Sequence, residues 1–137
     1  MIKVYTDGSC LKNPDGPGGW AYYFELNNIS KIGTGGHKST TNNRMELTAV
    51  IEALKQIDSE NENKNFNILI YTDSQYVIKC ATGQFKKHKN IDLWADFDNV
   101  SKNKKIVFEW IKGHNGNTNN EKVDFLARNE AGKFKML

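Results

Sequence analysis

The sequence predicts an α/β protein built on a five-stranded mixed sheet, a three-strand antiparallel meander plus two parallel strands, with helices on both faces. Three observations carry this reading. Three β-type runs follow one another near the N-terminus with only turn-forming loops between them. Beyond them, helical and β-type patterns alternate to the C-terminus. One short phrase also occurs twice, as Tyr5-Thr6-Asp7 and Tyr71-Thr72-Asp73, each time closing an apolar run: Ile2-Lys3-Val4-Tyr5 in the first case, Ile68-Leu69-Ile70-Tyr71 in the second.

The first three strands are expected over about residues 2–9, 19–26 and 30–37. Asn13-Pro14-Asp15-Gly16-Pro17-Gly18-Gly19 reads as a loop between the first two, and Asn27-Asn28 as a tight turn before the third. So short a connection argues for antiparallel neighbours. A helix over about 43–57 places Val50, Ala53, Leu54 and Ile57 on one face. Residues 59–65 form a polar connector, followed by a strand over 66–72 and a short helix beginning near Ser74. A helix near 92–100, an alternating strand over 106–111 and a last helix over about 119–131, carrying Val123, Leu126 and Ala127, complete the order. A helical crossover between the first and fourth strands makes them parallel and places them side by side. No internal repeat or second domain is visible, so residues 1–137 are expected to form one domain.

At 137 residues, with 38% hydrophobic and 26% charged side chains, the chain can bury a real core. No run reaches the apolar length of a membrane span, and the N-terminus lacks a signal-peptide pattern. The two cysteines, Cys10 and Cys80, form no C-x-x-C pair, which argues against zinc and suits free thiols in a reducing cytoplasm. The net charge of +3 hides an uneven distribution: Lys79, Lys86, Lys87, His88 and Lys89 crowd one segment, and Lys102, Lys104 and Lys105 another. Such clusters are either a solvated surface or a track for nucleic-acid phosphates with salt-sensitive affinity.

An acid at the tip of a buried strand is costly unless something pairs with it. Two at the tips of neighbouring strands lie roughly 5 Å apart, the strand spacing. Like charges that close share a proton or hold a cation. Asp7 and Asp73 both fall at carboxyl ends of strands, where such sheets bind ligands at the point of order reversal. Structural explanations compete. Asp7-Gly8 is a turn dipeptide, and Asp73 could cap the helix that follows it. Glu46 sits where a capping box from Asn43 would close, and Asp124 could be an ordinary exposed helix acid. Yet Glu46 heads the stripe of Val50, Ala53 and Ile57, and Asp124 flanks Val123 and Ala127. All four can therefore converge. Oxygen-only donors favour a hard cation such as Mg²⁺ or Mn²⁺. Two such ions about 4 Å apart serve phosphodiester hydrolysis.

The chain resembles type 1 ribonuclease H along essentially its whole length. The matching segments are Tyr5-Thr6-Asp7-Gly8-Ser9-Cys10, Asn13-Pro14 with Gly16-Pro17-Gly18-Gly19, Thr41-Asn42-Asn43-Arg44-Met45-Glu46-Leu47, Thr72-Asp73-Ser74-Gln75-Tyr76-Val77, Trp110-Ile111-Lys112-Gly113-His114 and Asn120-Glu121-Lys122-Val123-Asp124-Phe125-Leu126-Ala127. The resemblance implies a ribonuclease H-like fold and an endonuclease that cuts the RNA strand of an RNA/DNA hybrid, leaving 3′-hydroxyl and 5′-phosphate ends. It implies two Mg²⁺ ions per site, with Mn²⁺ as a substitute. Asp7 would bridge both ions, Glu46 and Asp73 completing one shell and Asp124 the other. His114 matches a loop histidine that assists proton movement or product release, in a Gly-containing and therefore mobile loop. Asn13, Asn43 and Gln75 match amides placed in the minor groove. Thr41 and Asn90 match a pocket for a DNA-strand phosphate. Trp94 matches a channel aromatic against the DNA backbone, with helix-face core packing as its alternative. A free-standing, monomeric cytoplasmic enzyme is expected, a domain cut from a reverse transcriptase being the other origin for such a chain. A binding module without turnover and a related metal-dependent nuclease or strand-transfer enzyme are the competing functions.

Three departures stand out. Ser39 occupies the position where the phosphate pocket often has an arginine, Asp15 is an extra residue in the Gly-rich loop, and the stretch 84–92 is too short for the basic protrusion of cellular bacterial members. Lys86, Lys87 and Lys89 stand as its remnant. Hybrid affinity is therefore expected to be weaker than that of a protrusion-bearing relative. Binding titrations at graded salt check this, and equal affinity with an equal salt slope contradicts it.

Overall fold

The computed structural model describes residues 1–60, 66–113 and 116–136. Five strands form one sheet: β1 (Ile2–Cys10), β2 (Gly16–Leu26), β3 (Ile29–Thr40), β4 (Phe66–Thr72) and β5 (Lys104–Trp110), in the order β3-β2-β1-β4-β5. β1, β2 and β3 pair antiparallel, whereas β4 is parallel to both β1 and β5. The expected mixed sheet is thus the observed one. The β2–β3 hairpin turns on Asn27 and Asn28, both at positive φ (54° and 64°). Asparagine tolerates that region, and two such residues match the right-handed twist of the flanking strands.

Four helices cover the sheet: α1 (Asn42–Glu60), α2 (Gln75–Ala81), α3 (Ile91–Ser101) and α4 (Thr118–Lys135). Leu47, Val50, Ala53, Leu54 and Ile57 of α1 are fully buried against Val4, Phe24, Ile68 and Ile70, with Trp94 and Phe97 of α3 closing the same core. A second cluster, Ala21 with Val123 and Ala127, seats α4 on the opposite face. α1 starts where Thr41 Oγ1 accepts the amide of Arg44 (3.2 Å), α2 where Ser74 Oγ accepts that of Val77 (3.1 Å), and α4 where Asn117 Oδ1 accepts that of Asn120 (2.9 Å). Each satisfies a first-turn donor that has no partner inside the helix. The capping roles weighed for Asn43 and Asp73 therefore belong to Thr41 and Ser74, which leaves both acids, Glu46 and Asp73, for other partners.

The Gly-rich segment departs from expectation. Residues 16–18 are strand rather than loop, and β3 continues to Thr40, with a register shift between Gly16 and Gly18. The glycines permit close approach: a side chain at Gly19 would strike the α4 backbone at Ala127 and Ala131, and one at Gly36 the ring of Phe134. The extra residue Asp15 turns at φ 71° just before β2.

Gly8 makes such an approach at the site itself, because a Cβ there would enter the backbone of Met45 and Glu46. Gly8→Ala must push α1 away from β1, and overpacking of this kind costs about 1–3 kcal/mol or more. Urea denaturation is expected to show that loss; a variant as stable as the parent contradicts the packing described.

Candidate active site

β1 and β4 lie in register with Tyr5 opposite Tyr71 and Val4 opposite Ile70. The repeated phrase thus lies side by side in space, and Asp7 and Asp73 leave the two strands at the same level. α1 crosses β1 at Gly8 and delivers Glu46 to that point. One oxygen from each of Asp7, Glu46 and Asp73 lies within 4.8 Å of the others. Asp7 and Glu46 are only 3% and 7% exposed.

Few neutral donors meet these charges. The Gly8 amide donates to Asp7 Oδ1 (2.9 Å) and to Glu46 Oε1 (2.5 Å). Thr72, fully buried, donates to Glu46 Oε2 at 3.5 Å while its hydroxyl accepts the Ser74 amide. Burial pushes Asp7 up to about 8, with the charges of Asp73 and Asp124 adding to the effect and the bond to Glu46 opposing it. Burial, and then the charge of Asp7, holds Glu46 well above the ordinary carboxylate range. The metal-free pair therefore retains a proton at pH values where free carboxylates have lost theirs. All-oxygen donors, mutual repulsion and burial together fit a hard divalent cation, which relieves the repulsion when it replaces the proton.

Asp124 reaches the same place from α4. It lines a cleft of about 440 Å³ with Asp7, Glu46, Asp73, Asn43, Gln75 and Tyr76, and acts electrostatically on Asp7. Its Oδ2 accepts from Arg128 Nε and Nη2 (3.1 and 3.0 Å), so it stands at the rim, already paired on that side. Three of the expected acids form a tight cluster and the fourth borders it. Asn13 Oδ1 accepts the Asn42 amide (3.2 Å) at the start of α1, next to Thr41. Asn90 opens α3, bonded to Arg44 and Tyr76. Trp94 is 2% exposed, edge-on to Phe97 in the core, so its burial supports the packing alternative over a surface contact with DNA. His114 lies outside the described residues.

Gly8, Thr72 and Arg128 were not singled out from sequence. Thr72 sits inside the repeated phrase, which was its signal, and Arg128 follows Asp124 at the spacing of one helical turn. Gly8 had no comparable signal, because its partner Glu46 is remote in the chain.

Fold and site together define a carboxylate centre for a hard cation at the switch point of a mixed sheet. Residues 1–132 match the family model described as RNase H. The chain is 44% identical to a ribonuclease H of Ehrlichia ruminantium over 96% of its length and 95% of that protein. It is 44% identical to a ribonuclease HI of Campylobacter jejuni (97% and 92%) and 46% identical to a ribonuclease H of Helicobacter acinonychis (97% and 94%). Among solved structures it superposes on LC9-RNase H1, a type 1 enzyme with the type 2 active-site motif, with a TM-score of 0.80 at 28% identity over 96% of this chain and 72% of that one. LC11-RNase H1, solved with an RNA/DNA hybrid, shares the fold with a TM-score of 0.82 at 22% identity over 97% and 98%. The chain belongs to the ribonuclease H family, as an enzyme of type 1.

Because Asp7 is pushed above its unfolded value of 3.8, its contribution to stability is fully present below that value and is lost as pH rises towards about 8. Without metal, stability is expected to fall across this window at up to ~1.4 kcal/mol per pH unit. Asp7→Asn is expected to flatten the fall and to exceed the parent in stability at the alkaline end. Thermal unfolding in chelator across pH measures both, and a parent whose stability rises over the window overturns this electrostatic account.

Proposed function

We propose that the chain is a ribonuclease H that hydrolyses the RNA strand of RNA/DNA hybrids, with residues 1–137 acting as one catalytic unit, to leave 3′-hydroxyl and 5′-phosphate ends. The observation that carries the reading is the buried acid cluster of Asp7, Glu46 and Asp73 at the floor of an open cleft. Asp7, Glu46 and Asp73 would together hold one ion, and Asp7 with Asp124 a second. Bound Mg²⁺, or Mn²⁺ in its place, supplies a Lewis acid that favours attack of water on the phosphodiester and neutralises charge on the leaving oxygen.

The chain's own groups orient and select. Gly8 and Thr72 hold the Glu46 carboxylate towards the cleft. Arg128 restrains Asp124. Asn43 and Gln75 line the cleft and Asn13 stands at the start of α1, placed to read a minor groove; amides both donate and accept there, so they can test for the 2′-hydroxyl. Thr41 and Asn90 hold a phosphate of the DNA strand, and the lysines at 86, 87 and 89 extend that track. His114 assists proton movement or product release. Its neighbour Gly113 lies beside the Asp73 carboxylate. No helix among the described residues is long and apolar enough to cross a membrane. A monomer working in the cytoplasm is part of the same reading.

Cleavage of matched RNA/DNA, RNA/RNA and DNA/DNA duplexes with Mg²⁺ tests it. Cutting of the RNA in the hybrid alone is expected, and loss of the divalent ion is expected to stop it. Asp7→Asn is expected to abolish cleavage, at least about a thousandfold, while leaving hybrid binding largely intact. A binding module would hold the hybrid and cut nothing; a related nuclease would cut another duplex.

A further inference from the structure

Asp73 differs from the other two clustered acids in how it is held. Asp7 and Glu46 each accept the Gly8 amide, and Glu46 also accepts the Thr72 hydroxyl. Among the described residues no group hydrogen-bonds the Asp73 carboxylate. Where that carboxylate stands is therefore set by the backbone beneath it and by whatever crowds it.

The carboxyl end of β5 supplies most of both. Thr72 O accepts the Ile111 amide (2.9 Å), and Asp73 O accepts the indole Nε1 of Trp110 (3.3 Å). On the far side the Ser74 amide donates to the Thr72 hydroxyl (3.0 Å). The peptide groups before and after Asp73 are thus both fastened. Of the two side chains in this brace, Thr72 also serves Glu46, whereas Trp110 bonds Asp73 alone. Ile106 and Phe108, on the same face of β5, pack against the core, but Trp110 is 48% exposed. Its N–H, more than its apolar surface, is what the fold uses.

Gly113 crowds the acid from the same side. The three atoms nearest to a Cβ added there all belong to Asp73, with Oδ2 at 2.9 Å. Gly83 and Gly116 take positive φ (81° each), but Gly113 does not. Its backbone therefore makes no demand for glycine; what the missing side chain leaves is room beside one carboxylate oxygen.

We propose that Trp110 and Gly113 are positioning residues for Asp73: the indole fixes its backbone, and the bare glycine leaves its carboxylate the space from which to hold a divalent ion. This rests on the reading of Asp73 as a ligand to that ion. Groups that orient a ligand without touching the metal govern affinity through geometry.

Calorimetric titration of the hybrid-free protein with Mg²⁺, beside thermal unfolding in chelator, tests this. Asp73→Asn examines the underlying reading: it is expected to weaken ion binding, and unchanged binding shows that Asp73 is no ligand, so the proposal falls with that reading. Trp110→Phe keeps a ring and removes the N–H; it is expected to bind Mg²⁺ about tenfold more weakly. Gly113→Ala is expected to show a similar loss while unfolding in chelator at the parent's temperature, because the atom it displaces is the mobile end of a side chain. A merely structural role would lower the unfolding temperature and leave ion affinity alone. Parent-like Mg²⁺ affinity in either variant overturns the proposal. In cleavage assays at subsaturating Mg²⁺ both variants are expected to lower kcat and keep the KM for hybrid; a raised KM with kcat intact signals a substrate contact and overturns it as well. Should Trp110→Phe not fold, Trp110→benzothienylalanine, of the same shape with sulfur in place of the N–H, decides on the same readouts.

Discussion

The parallel pairing of β1 with β4 sets the separation of Asp7 and Asp73. With Tyr5 opposite Tyr71, two identical tripeptides end at the same edge of the sheet, and their acids sit about one strand spacing apart. The crossover through α1 makes that pairing parallel. The same helix, pressed onto β1 at Gly8, inserts Glu46 between the strand ends. Topology and catalytic geometry have a common cause: one helix both reverses the strand order and supplies the third carboxylate.

Gathering these acids works against folding. Asp7 and Glu46 are withdrawn from water, and Asp73 and Asp124 raise the charge that Asp7 faces. The surrounding core offsets that cost, with fully buried aliphatic side chains from α1, β1 and β4 directly beneath the site. Without a cation the cluster keeps a proton, which a bound cation would replace. Asp124 differs because Arg128 partly satisfies it at the rim. A tight inner set of three acids and an outer acid paired with Arg128 make the two sides of the site unlike.

A second network links core to surface. Trp94, within the α3 core, reaches Tyr76, which reaches Asn90, which is held by Arg44 and Asp92. The burial of Trp94 is thus connected to the cleft through a hydrogen bond rather than through exposure. Core packing and cleft lining are joined along a chain of donors and acceptors whose directions are set by groups that can only donate.

Most of the elements were legible from periodicity and turn residues, because they depend on local spacing: β4 matched at both ends, and α1 and α4 were merely longer than expected. The Gly16-Pro17-Gly18 run reads as loop but opens β2, because glycine signals a loop and a close approach alike, and only the nearness of Ser9, Thr40 and Met45 to Gly18 separates the two. The repeated phrase announced Asp7 and Asp73, the apolar helix stripes pointed to Glu46 and Asp124, and the resemblance assigned all four to metal. Sequence by itself pointed to the acids that the fold brings together, since residue type and strand-end position are local properties. Tertiary structure alone decided how they divide the work: which acids are buried together, that Glu46 turns from its own helix to the Gly8 amide, that Thr41 caps in place of Asn43, and that Trp94 faces inward. Each of those outcomes depends on groups far apart in the chain, and no pattern along one segment can specify a contact whose other half lies in another.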